Sequence, residues 1–207
     1  PTLAHPPLRG PFDSPVPVVY NAVPSTPAAR PAVMRGLLQV PSSFSAQARQ
    51  AGHGPASCVC APVRGRAVAL RDVGDPAFSQ GMLGEGLAFQ PSSDVVCAPV
   101  TGIVAADTST THALVIRSQE GLEVLVHVGL DTAGLRGRGF VPLVSRGEAV
   151  ERGQELLRFD RELVVRSGLD PVVVMTLTEL GQASSVRALC EPGREVSCGE
   201  PVLEVLR

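Results

Sequence analysis

The 207-residue chain contains no lysine, so all 18 of its basic residues are arginine. That absence excludes the lysine of a Walker loop, a Schiff-base lysine, and an attachment site for lipoate or biotin. Tryptophan is missing too, and there is one tyrosine. Valine and leucine must therefore fill the interior, which suits strands. No apolar run is long enough for a membrane-spanning helix. The N-terminal stretch has neither the basic nor the apolar block of a secretion signal. Net charge is −2, too close to neutral for electrostatic binding of nucleic acid or an anionic membrane. We expect a cytoplasmic chain with no membrane insertion and no nucleic-acid partner.

Five cysteines, at 58, 60, 97, 190 and 198, are an odd number. This predicts reduced thiols in a cytosol rather than a disulfide framework. Cys58-Val59-Cys60 lacks a second cluster at zinc-finger spacing, and neither a metal nor another cofactor is expected. Most of the 19 prolines fall before Gly65, mixed with Ala, Ser, Thr and Arg. Such a stretch buries too little apolar surface to offset its ordering entropy. Residues 1–56 are therefore predicted to be a disordered, flexible tail or linker, and 57–207 a folded domain.

Within that domain, short Val/Leu segments alternate with turn residues, the punctuation of an all-β fold. Two patterns repeat. Cys60-Ala61-Pro62-Val63-Arg64-Gly65 returns as Cys97-Ala98-Pro99-Val100-Thr101-Gly102, and the stretch from Gly147 to Leu157 returns from Gly193 to Leu203. They predict two similar β-units interleaved into an antiparallel β-sandwich or barrel-sandwich, which leaves few open edges. Helix is confined to short turns near Asp75 to Met82 and Arg161 to Ser167, the second capped by Asp160. Gly84-Glu85-Gly86 leads into a strand, not the helix a phosphate loop would need.

The chemistry points to residues 108–131, which hold the only histidines after His53. His112 to Arg117 and Leu122 to Val128 read as a hairpin, with Gly121 supplying the positive φ of the turn. If Ser118 pairs with Gly121, His112 falls directly opposite His127, with Cβ atoms roughly 5 Å apart. Two imidazoles disfavour each other once either is charged. Their meeting suggests a site that uses neutral imidazole, as nucleophile or metal ligand.

The segment from Asp75 to Pro91, with Phe78 and Gly84-Glu85-Gly86, resembles the glucose-type IIA domain of the bacterial phosphoenolpyruvate:sugar phosphotransferase system. Cys97 to Gly102, Thr110-Thr111-His112-Ala113, His127 to Thr132, Gly137 to Phe140, Gly147 to Asp160 and Asp170 to Val174 continue the resemblance in order. It covers residues 57–207 and implies a β-sandwich built from a duplicated motif. It also implies a phosphoryl carrier, with His127 the acceptor, His112 its partner, and Thr110 hydrogen-bonded to His112. HPr would donate the phosphoryl group, and a cysteine of a IIB domain would receive it during sugar uptake. Phe78, Met82, Leu83 and Leu125 are expected to form an apolar docking rim, with Asp131 covering the site. The family's other rim aromatics match Thr108, Leu125 and Val128 here. Two rival readings are a regulatory binding module governed by phosphorylation state and a zinc hydrolase using both histidines with a carboxylate.

Overall fold

The sequence repeats become a pseudo-twofold in space. In the computed structural model, which describes residues 58–206, eight strands form one antiparallel sheet. Their order is β13 (Glu195–Val196), β2 (Gly65–Ala69), β3 (Glu85–Pro91), β11 (Val173–Leu180), β7 (Leu122–Val128), β6 (Ala113–Arg117), β5 (Gly102–Asp107) and β9 (Ala149–Val150). Outward from the central β11–β7 pair the two sides correspond, β3 answering to β6, β2 to β5 and β13 to β9. Two three-stranded sheets match in the same way. One is β1 (Cys58–Cys60), β14 (Pro201–Leu206) and β12 (Ser185–Ala188); the other is β4 (Val95–Cys97), β10 (Glu155–Phe159) and β8 (Phe140–Pro142). Reciprocal hydrogen bonds join the halves: Cys60 N donates to Pro99 O at 2.9 Å and Cys97 N to Pro62 O at 2.7 Å. The all-β expectation holds. The predicted tail, residues 1–56, lies outside the described residues.

Strand alternation sorts the side chains. On β7, Val124, Val126 and Val128 enter the main core with Leu87, Phe89, Ile116, Leu156, Leu157 and Met175. Leu125 lies on the opposite face of the large sheet, in a second cluster with Ala88, Ala113, Val115 and Val174. The chain before β3 covers this outer face with Val73 and Phe78. It contains a 3-10 turn, Leu70–Asp72, and helix α1, Pro76–Ser79. The helix starts where Asp75 accepts a hydrogen bond from Ala77 N at 2.8 Å, with proline in its first turn. Helix α2, Arg161–Arg166, is capped as expected, Asp160 accepting from Leu163 N at 2.7 Å.

The cysteine expectation is corrected. Cys97 and Cys198 form a disulfide across 101 residues of sequence, while Cys58, Cys60 and Cys190 are free thiols. The reason is topological: Cys97 N donates to Pro62 O and Gly199 N to Ala61 O. The segment following β1 thus lies between the end of β4 and the turn before β14. A count of cysteines carries no trace of that proximity.

Candidate functional site

The hairpin that carries the two histidines has its loop at Gln119 to Gly121 as expected, but it closes with Ser118 against Leu122, not against Gly121. Ser118 N donates to Leu122 O at 2.9 Å, and Gly121 N to Ser118 O at 3.1 Å, so three residues, Gln119 to Gly121, form the loop. Gly121 takes φ 83° there, the left-handed geometry of a three-residue turn with a bulge. The register moves accordingly: His127 lies opposite Ala113, and Val128 N donates to His112 O at 2.8 Å. The expected direct pairing of His112 with His127 is therefore wrong by one position.

A one-residue slip normally sends a side chain to the other face of a sheet. His112 escapes that outcome because it precedes β6 rather than belonging to it. The residue before it, Thr111, has φ 56°, a left-handed conformation rare for a β-branched residue. The chain leaves the pleat at that point, and the two imidazoles meet with centroids 5.0 Å apart, edge to face at 85°.

Beyond His127, the backbone is held in a tight bend. Gly129 N donates to Val172 O at 2.9 Å, Leu130 N to Asp170 O at 2.9 Å, and Thr132 Oγ1 to Val128 O at 2.6 Å. Gly129 has φ 71°, and a Cβ there would come within 2.4 Å of Thr132 Cγ2; only glycine fits the bend. Nδ1 of His127 is buried and no partner meets hydrogen-bond geometry, although the Gly129 carbonyl is near enough to raise the ring's proton affinity. The carbonyl thus lies beside Nδ1 without closing a hydrogen bond to it. Nε2 is left as the nitrogen available at the surface.

Protein surrounds most of the His127 ring, yet some of its surface remains exposed. Burial, and secondarily the nearby His112, pull its pKa down to about 4. The Asp75 carboxylate and the Gly129 carbonyl oppose this incompletely. His112 is buried, and burial lowers its pKa as well. Both rings are thus neutral near pH 7, leaving an unprotonated nitrogen for nucleophilic work.

Thr110 Oγ1 lies 2.6 Å from Nδ1 of His112. Thr108 Oγ1 approaches the same nitrogen at 3.2 Å, a contact the sequence reading missed. The polar character of position 108 was its only visible signal. Phe78 packs its ring 5.3 Å from that of His127, tilted by 60°. Phe78 and Leu125 are buried in the outer cluster, so they support the rings from below instead of standing on a surface rim. Leu83 packs half-buried against that cluster, and Met82 is 58% exposed. Asp131 is exposed, with φ 58°, and makes no side-chain cap for the 3-10 turn Thr132–Leu135 that follows.

The family model for "phosphoenolpyruvate-dependent sugar phosphotransferase system, EIIA 1" matches residues 57–183. The chain is 35% identical over 144 residues to the raffinose carrier protein of Pediococcus pentosaceus, an alignment covering 70% of this chain and 22% of that protein. It is 33% identical over 152 residues to the PTS system glucose-specific EIIA component of Oceanobacillus iheyensis, covering 72% and 89%. The chain therefore spans about a fifth of the first relative and most of the second. Among solved structures it is similar to the glucose permease IIA from Mycoplasma capricolum. The TM-score is 0.61 and the identity 31%, with 70% of this chain and 93% of that one covered.

Proposed function

This chain belongs to the EIIA 1 family of the phosphoenolpyruvate-dependent sugar phosphotransferase system, and on that premise we propose that His127 is its phosphoryl-carrying residue, loaded by phospho-HPr and discharged to a cysteine of a IIB domain during sugar uptake. The supporting observation is a neutral imidazole, with its pKa near 4, beside a second imidazole 5.0 Å away. In this reading residues 57–207 are the cytoplasmic carrier domain and 1–56 its tail. Among the described residues no helix is long and apolar enough to cross a membrane.

Nε2 of His127 attacks the phosphorus of phospho-HPr. The new N–P bond forms as the bond to the donor breaks, and the ring needs no general base because its lone pair is already free. The transferred group carries close to two negative charges, so catalysis is mainly positioning and charge stabilisation. His112 donates a hydrogen bond to one of the phosphoryl oxygens. A IIB thiolate then attacks phosphorus, the N–P bond breaks, and His127 returns to its neutral form. Phe78, Leu83 and Leu125 limit water near the phosphohistidine, while Met82 and Asp131 lie on the partner-facing side.

A relay with labelled phosphoenolpyruvate, enzyme I and HPr tests the assignment. His127→Gln should take up no label. His112→Gln should take it up and fail to deliver it to a IIB domain. A labelled His127→Gln protein, or normal delivery by His112→Gln, would refute this division of roles. Wild-type protein that accepts label but never passes it on would instead be a regulatory binding module.

A further inference from the structure

We propose that Thr108 is a second positioning residue of this site, its hydroxyl acting with that of Thr110 to fix the proton of His112 on Nε2. The inference rests on the reading of His127 as phosphoryl acceptor. Thr108 and Thr110 reach Nδ1 of His112 from the same turn, at 3.2 and 2.6 Å. They differ in anchorage. Thr108 N donates to Ala113 O at 3.1 Å, Thr108 Oγ1 accepts from Ala113 N at 3.3 Å, and Thr111 N donates to Thr108 O at 2.8 Å. Thr108 therefore ties the histidine to the start of β6. Thr110, by contrast, sits next to Thr111, the residue with the left-handed backbone.

A neutral imidazole nitrogen offers one N–H or one lone pair, whereas a hydroxyl can donate and accept. If Nδ1 of His112 carried the proton, Nε2 would offer only a lone pair beside the His127 ring, which stands 5.0 Å away, edge to face. After transfer that lone pair would face a dianionic phosphoryl group. If a threonine hydroxyl donates to Nδ1, the proton is placed on Nε2, where it can bond to a phosphoryl oxygen after transfer. Thr110, at the shorter distance, is the direct donor. Thr108 offers a second hydroxyl to the same lone pair and holds the ring against the strand, so its removal should mix the two proton forms.

Histidine-ring nitrogen NMR on the full, unphosphorylated chain tests this through Thr108→Val, which keeps the side-chain shape, and Thr108→Ser, which keeps the hydroxyl. Wild type should show His112 protonated at Nε2. In Thr108→Val the ratio of the Nε2–H to the Nδ1–H form should fall roughly fivefold, the scale of one net hydrogen bond. Thr108→Ser should restore it. An unchanged ratio in Thr108→Val, or no restoration by Thr108→Ser, overturns the proposal. The spectra are taken without phosphate, so a wild-type chain that fails to accept a phosphoryl group would defeat the carrier reading separately from this result.

Discussion

At the scale of single residues, His127 occupies a place where its charged form is disfavoured, and this makes stability depend on pH. The folded ring has its pKa near 4, whereas in the unfolded chain a histidine titrates near 6.5. Between those values the unfolded state binds more protons, so stability rises with pH and is lost as pH falls from about 6.5 toward 4. The contribution is at most about 3 kcal/mol, and His112, shifted in the same direction, adds to it. Urea unfolding midpoints between pH 4.5 and 7 should fall more steeply with acid in wild type than in His127→Gln. Parallel curves would mean that the ring is not desolvated as described. The histidine pair was legible in the sequence because both rings lie in one short hairpin, and Thr110 through the family resemblance. Thr108 was not, because its bond depends on how the turn folds back onto Ala113.

At the scale of elements, the β-rich character and both short helical turns followed from alternation, turn residues and, for the second helix, the capping Asp160, but the register of the hairpin did not. Gly121 marks the turn without revealing whether it pairs with Ser118 or is the third residue of the loop. Nor does Thr111 advertise its left-handed backbone, which a β-branched residue rarely adopts. The bend after β7 provides a test at this level. Gly129→Ala would place a Cβ 2.4 Å from Thr132 Cγ2 at φ 71°. It should destabilise the domain by roughly 1–3 kcal/mol and move the Gly129 carbonyl relative to Nδ1 of His127. A denaturation midpoint equal to that of wild type would contradict the tight bend.

The whole molecule is two similar units, and the repeats in the chain announced this directly. They did not announce where the units differ. Cys97 bonds to Cys198, while at the matching junction Cys60 lies near Arg152, whose charge partly opposes the upward shift that burial gives the thiol. The backbone agrees: Ala98 N donates to Gln154 O as Ala61 N donates to Glu200 O, both at 2.8 Å. One junction therefore closes covalently and the other without a covalent bond. Reducing the disulfide should lower stability by roughly 2–5 kcal/mol while leaving phosphate uptake at His127 intact, because the cysteines lie away from the outer-face cluster beside the site. Arg152→Cys should form a second disulfide with Cys60, leaving Cys58 and Cys190 as the free thiols. Failure of Cys60 to pair in that variant would contradict the proposed correspondence of the junctions.

The central claim concerns one atom, and the most direct measurement is to load the chain through HPr and identify the phosphorylated nitrogen by histidine-ring NMR. The prediction is a single N–P bond at Nε2 of His127, with His112 unmodified. Phosphorus on Nδ1 of His127, or on His112, would contradict it.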